Sequence, residues 1–280
     1  MCIRDRLRQL AFFAAVNENI DLHFFDGKGS EFFYLKPFCR SYGNTQADIF
    51  AELRFLNQEV RERSLILGQH KALGHARWGD NWNIWDDGDA ALRKGLIPEW
   101  TDIELDGETR RVRSARPHIA FFWEEYAFTV GSIDDRKERE ELKGLVKTLM
   151  QTGRSVGIEV LCSAQEFLED VMSTGARNQF TAFISGSLRS RYQAQEVFGF
   201  EENGVSPLNL VGEMTKDGSL STSGQAAIRG FGNTTYLKSY YLNAAISRAD
   251  LEGFPETEKL DLSDFRSAEQ PADRRKFATP

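Results

Sequence analysis

The residues best suited to chemistry in this chain stand where apolar runs end. "HIAFFWEEYA", residues 118–127, leads from the largely apolar run Ile119 to Trp123 straight into two adjacent carboxylates, Glu124 and Glu125. Acids at the end of a buried segment are costly unless something binds them. Two other runs end in polar groups: "IDLHFFDGKG" in Asp26 and Lys28, and "IEVLCSAQ" in Ser163 and Gln165. If the acids end a strand, Glu124 can hold a hydrated Mg2+ and Glu125 can polarise an attacking water, the division of labour that hydrolysis of a nucleoside triphosphate needs. A neutral Gln, both donor and acceptor, suits sensing of the γ-phosphate or positioning of that water. Two plainer readings compete. Acids at a helix N-terminus gain about 0.3–1 kcal/mol from the macrodipole, and Gln165 taken alone is an ordinary loop amide.

Periodicity predicts the elements that would position these groups. "LRQLAFFAAV" reads as a helix already under way, Ile20 to Phe25 as a buried strand, and Asp26 to Gly29 as a turn. Ile49, Leu53, Leu56 and Val60 recur at helical spacing and predict an amphipathic helix over residues 45–67, capped near Asn44 or Thr45. Residues 78–116 lose that period and read as an insertion, with alternation around Asp106-Gly107 predicting a β-hairpin. Within it Asp86, Asp87 and Asp89 lack the EF-hand pattern and read as a solvated loop. Leu142, Leu145, Val146 and Leu149 form the stripe of another helix, begun by Asp134 or Asp135 and stopped by Gly153, and Ile158 to Cys162 follow as a strand. Downstream, "FTAFISGS", "GQAAIRG" and "TTYLKSYYLN" look like strands and "SRYQAQEVFG" like a short helix. Strand and helix in alternation predict an α/β fold, a mainly parallel sheet covered on both faces, with ligands beyond the carboxyl ends of its strands.

At 280 residues and 41% hydrophobic content, the chain can form one large α/β domain or two small ones. A net charge of -7 argues against coating nucleic acid over the whole surface, while leaving room for a local basic patch. No apolar run approaches the roughly 20 residues of a membrane-spanning helix. Cys2, Cys39 and Cys162 are isolated, which fits neither a zinc site nor a disulfide framework and suggests a reducing cytoplasm. "MCIRDR" resembles a translated sequencing-adapter leader, so residues 1–6 are expected to be non-native and the native chain to continue upstream; a natural start with a short basic arm is the plainer alternative. Residues 250–280, polar with Pro and charge clusters, are expected to form an unstructured tail.

Taken in order, "IDLHFFDGKG", "RPHIAFFWEEYA", "GLVKTLMQTGRSVGIEVLCSAQ", "STGARNQFTAFISGSLRSR" and "GQAAIRG" resemble the motor domain of the FtsK/SpoIIIE DNA translocases, especially those of actinobacterial conjugative elements and plasmids. The match covers most of residues 7–245. It implies a RecA-like P-loop NTPase core over residues 7–249, with the hairpin insertion at about 78–116. It implies ATP and Mg2+ as cofactors, double-stranded DNA as substrate, and a homo-oligomeric ring, hexameric as in that family. The location would be cytoplasmic, with the full-length protein at the inner face of the membrane. By this resemblance Glu124 is the Mg2+-side carboxylate, Glu125 the catalytic base and Gln165 the sensor. Asp26 and Lys28 belong to the nucleotide side. Arg191, in "SLRSR", would reach a neighbouring subunit's nucleotide, and Arg177 is a second candidate. The plainer reading of both arginines is a surface ion pair.

The chain departs from the family in three ways. Glu124 stands where Asp is usual, Trp123 is bulky beside a nucleotide, and no GxxxxGK[ST] loop occurs. In the family that loop precedes the helix that opens this chain, so the fragment is expected not to hydrolyse ATP by itself. No winged-helix module follows, which suggests a plasmid, phage or conjugative role. The alternatives are a secretion or conjugative coupling ATPase, and a non-catalytic scaffold of the same fold.

Overall fold

A computed structural model describes residues 3–29, 32–78, 92–95, 97–165, 172–188, 190–198, 205–210, 213–214, 220–221, 225–230, 233–238, 251 and 253–266. Its centre is a sheet of four strands, β1 (Ile20–Asp26), β2 (Ser41–Gly43), β5 (His118–Glu124) and β6 (Ile158–Cys162), in the order β2-β1-β5-β6. Every pairing in it is parallel, as the alternation of strands and helices predicts. Helix α1 (Ile3–Ala15) covers one face, where Leu7 and Ala11 pack with Leu22, Phe24 and Phe122. Helices α2 (Gln46–Trp78) and α4 (Arg136–Thr152) cover the other, over Phe25, Ile119, Phe121 and Trp123. Burial on both faces explains why β5 reads as an unbroken apolar run.

The helix starts follow their caps. Thr45 Oγ1 accepts from Asp48 N at 3.2 Å, and the Asp48 carboxylate returns to Thr45 N at 3.1 Å, a reciprocal cap at the start of α2. Asp135 opens α4 by accepting from Lys137 N at 2.7 Å and Glu138 N at 3.0 Å. Helix α2 is 33 residues long and runs past the expected end at residue 67 to Trp78. Tertiary contact overrides the lost periodicity there. His70 Nε2 meets Thr101 Oγ1 at 2.7 Å and Gln69 Nε2 donates to Asp102 O at 3.0 Å, both on the hairpin of β3 (Trp100–Leu105) and β4 (Glu108–Arg113). The hairpin turns where expected, with Asp106 at φ 54° and Gly107 at φ 82°, the positive values its two-residue turn requires. Asp86, Asp87 and Asp89 lie outside the described residues.

Arg63, 1% exposed, anchors α2 below the sheet. Its guanidinium meets Glu59 at 2.9 Å and donates to Pro117 O at 2.9 Å and Val156 O at 3.3 Å, just ahead of β5 and β6. Arg116 adds a pairing to Glu59 and one to Glu62 at 2.8 Å. Burial alone would raise the Glu59 carboxyl, but Arg116 and then Arg63 outweigh it and hold the group below the usual carboxylate range.

Two later expectations change. The strand at "FTAFISGS", β7 (Ala182–Ser185), has no parallel partner among the described residues; it forms an antiparallel sheet with β10 (Gln225–Gly230) and β11 (Asn233–Lys238), in the order β11-β10-β7. A two-residue pairing of β8 (Glu213–Met214) with β9 (Leu220–Ser221) precedes them. Residues 253–266, expected to be unstructured, form a strap along the β2 edge. Thr257 N donates to Pro37 O at 3.0 Å and Leu260 N to Arg40 O at 2.9 Å. Lys259 Nζ caps the carbonyls of Lys36 and Cys39, each at 2.8 Å, and Phe265 meets Phe55 edge-on at 5.4 Å. Their polarity is spent on partners more than 200 residues away, so composition alone gives no sign of it. Among the described residues no helix is long and apolar enough to cross a membrane.

Candidate active site

The register of the parallel sheet brings the three polar strand ends together. Asp26 is the Cα partner of Glu124, and Trp123 that of Cys162, so Asp26, Glu124 and Ser163 end their strands side by side. Asp26 is fully buried, and its carboxylate closes its own loop. Oδ1 accepts from Gly29 N at 2.9 Å, while Oδ2 accepts from Phe32 N at 3.2 Å and from the Tyr42 hydroxyl at 2.9 Å. Burial, and next the Asp26 charge, push the Tyr42 phenol well above its ordinary pKa, so it remains a donor. Asp26, expected on the nucleotide side, ties down the turn that carries Lys28.

Glu125 bears on the helix-cap reading of the acid pair. It precedes helix α3 (Tyr126–Gly131) in the N-cap position, yet its side chain makes no capping bond. Its backbone sits in the left-handed region, φ 54° and ψ 58°. For a residue other than Gly, such a conformation costs on the order of 1–3 kcal/mol and persists only where the surroundings enforce it. Here Glu125 N donates to Ser163 Oγ at 3.2 Å, and Glu125 O accepts from the Thr129 hydroxyl at 3.3 Å. The carboxylate turns away from the helix into a cluster. Oε1 accepts from Gln165 N at 3.0 Å; Oε2 accepts from Gln165 Nε2 at 3.3 Å and from Lys28 Nζ at 3.2 Å. Glu125, Gln165 and Lys28, predicted from three separate runs, therefore meet in one place.

Glu124, 1% exposed, ends β5 beside Asp26. A Cβ built on Gly27 would fall 2.7 Å from Glu124 O and 2.9 Å from Thr129 Oγ1, so the Lys28 turn passes this strand end at a distance only Gly permits. Trp123, the bulky departure noted above, points to the opposite face, where its Nε1 donates to Thr129 Oγ1 at 3.2 Å and its ring meets Tyr126 at 4.7 Å. Its bulk fills the core under α3. Arg191 opens α6 (Arg191–Phe198) and is exposed; Arg177 ends the short α5 (Thr174–Arg177), is 5% exposed and donates to Thr174 Oγ1 at 3.1 Å. Neither arginine is among the partners of Glu125 described above. Tyr42 and Thr129 escaped the sequence reasoning: nothing local marks Tyr42, whereas Thr129, one helical turn beyond Glu125, was within reach of it.

The residues present fit a magnesium nucleotide in one respect. Among the described residues, no three His, Cys, Asp or Glu side chains converge as a metal site. Mg2+ in nucleotide sites takes one or two carboxylates and completes its shell with water and phosphate. Glu124, at the carboxyl end of an interior strand, would be one such carboxylate, and Glu125 stands next to it.

No protein-family model and no curated protein matches the chain. Solved structures do. The conjugation coupling protein TcpA of pCW3, in its monomer form with ATPγS, superposes with a TM-score of 0.58 at 16% identity, over 89% of this chain and 60% of that one. EssC (ATPases 2 and 3) from Geobacillus thermodenitrificans gives 0.58 at 12% identity, over 91% of this chain and 43% of that one. The cytoplasmic domain of the type VII secretion ATPase EccC from Thermomonospora curvata gives 0.53 at 16%, over 90% and 26%. The chain thus shares the α/β fold of these ATPase structures, with the parallel sheet flanked by helices that its sequence implied. It spans 60% or less of the length of these neighbours.

Proposed function

We propose that this chain is the Walker B and sensor part of an FtsK/SpoIIIE-type ring ATPase that moves double-stranded DNA. The observation that carries this reading is the Glu125 carboxylate, which caps nothing and is instead gathered by Gln165 and Lys28 at the carboxyl edge of the sheet. A helix-capping acid would gain most by bonding its own first turn. Here the left-handed backbone aims the side chain across to the ends of the neighbouring strands, the place where open parallel sheets bind ligands.

In this reading Glu124 holds Mg2+ through water, Glu125 polarises the attacking water, and Gln165, bonded to Glu125 through both its backbone and its amide, reports the state of that carboxylate. Bound Mg2+ would supply charge neutralisation on the phosphates. No GxxxxGK[ST] loop occurs in this sequence, and the reading assigns no residue of it to the phosphate cradle. Arg191, exposed at the start of α6, is free to approach a neighbouring subunit; in the ring it would stabilise charge developing on that subunit's nucleotide.

The likeness to TcpA, a conjugation coupling protein, supports DNA as the moved substrate. The likeness to EccC, a type VII secretion ATPase, at a TM-score of 0.53, supports a second reading, a secretion motor. ATP turnover of the full-length protein with and without duplex DNA separates them. Turnover that rises severalfold with DNA supports the first; turnover indifferent to DNA at low and physiological salt overturns it. Arg191→Ala should abolish turnover and leave nucleotide binding intact; wild-type turnover in that variant removes the role given to it.

A further inference from the structure

Lys28, expected on the nucleotide side, meets the Glu125 carboxylate. Its turn is fixed on both sides. Gly27 presses against Glu124 O and Thr129 Oγ1, and Gly29, at φ 71°, is held by the Asp26 carboxylate. Between these points the Lys28 side chain, 20% exposed, lies inward and ends 3.2 Å from a carboxylate that is itself 7% exposed. The two bonds from Gln165 locate Glu125 Oε1 and Oε2 but supply no charge; Lys28 is the cation among the partners described for this carboxylate. Of the three N–H donors on its ammonium, the structure directs one to this neighbouring side chain.

We infer that Lys28 is a positioning residue for Glu125 and not a phosphate ligand: its ammonium and the Gln165 amides clamp the carboxylate in the orientation from which it polarises water. The inference rests on the hydrolytic reading of the site. Without Lys28 the carboxylate keeps two amide donors on one side and can swing about them; the nucleotide's own contacts are untouched.

The test compares Lys28→Met and Lys28→Arg in the full-length protein, reading ATP turnover alongside the Kd of a non-hydrolysable ATP analogue. Lys28→Met should lower kcat by about tenfold or more with the analogue Kd within about twofold, and Lys28→Arg should restore most of the loss, because a cation is still present to meet Oε2. A Kd weakened about tenfold with kcat retained would make Lys28 a phosphate ligand and overturn the inference, as would unchanged or faster turnover in Lys28→Met. A second readout needs no nucleotide. In the 280-residue chain, the Tm losses of Lys28→Met and Glu125→Gln should be non-additive, the double variant losing less than their sum. Strict additivity would show that the two groups are not coupled. A wild-type protein that binds the analogue without turnover defeats the hydrolytic reading, while the thermal cycle still decides whether Lys28 holds Glu125.

Discussion

Replacing Gly27 by Ala tests how tightly the Lys28 turn is built against the end of β5. The added Cβ would sit 2.7 Å from Glu124 O and 2.9 Å from Thr129 Oγ1. The first of these is a backbone atom of a strand paired on both sides, with β1 and with β6, so it cannot yield cheaply. Overpacking of this kind costs about 1–3 kcal/mol. With a urea m-value of about 3 kcal/mol/M, the denaturation midpoint should fall by roughly 0.3–1 M. Gly144→Ala is the control: Gly144 lies on the exposed side of α4, a Cβ there meets nothing within 4 Å, and the change should stabilise by about 0.5–1 kcal/mol. A Gly27→Ala protein that unfolds at the wild-type midpoint, beside a Gly144→Ala control that behaves as expected, would refute the close approach.

The Arg63 cluster predicts an acid sensitivity. Glu59 is held below the usual carboxylate range in the folded protein, so its contribution is complete above its unfolded pKa of about 4.3 and is lost as pH falls through the lower folded value. Urea midpoints measured from pH 7 to pH 3 should decline through that window, and in Glu59→Gln this part of the decline should be missing. The strap predicts a local effect: Lys259→Met uncovers the carbonyls of Lys36 and Cys39, should cost about 1 kcal/mol, and should speed amide hydrogen exchange in residues 36–43 more than in α4.

The legible parts of this protein are those whose signals are local. Apolar runs ending in polar pairs marked β1, β5 and β6, and parallel pairing converts those three marks into one site because equal register aligns their carboxyl ends. The Thr45 and Asp135 caps, the Asp106-Gly107 turn and the α4 stripe were readable for the same reason. What stayed hidden depends on distant partners. The last turns of α2 are helical because a hairpin about 30 residues on bonds His70 and Gln69. The strap is ordered because its donors find the carbonyls at the β2 edge. Lys28 could be named from its turn, but that its charge goes to Glu125 depends on a fold that joins two loops 97 residues apart. The direction of the Glu125 side chain is set by a left-handed backbone that no sequence period encodes.

In the proposed function Glu125 is the water-polarising carboxylate of a nucleotide-hydrolysing site. The most direct measurement is ATP turnover by the full-length protein with Glu125 and with Glu125→Gln, an isosteric change that keeps one acceptor oxygen for Lys28 and the Gln165 side-chain amide, gives up the acceptor for Gln165 N, and removes the charge. Removal of the base should lower kcat by about 100-fold or more with nucleotide binding retained. Turnover in Glu125→Gln within a few-fold of wild type would contradict it.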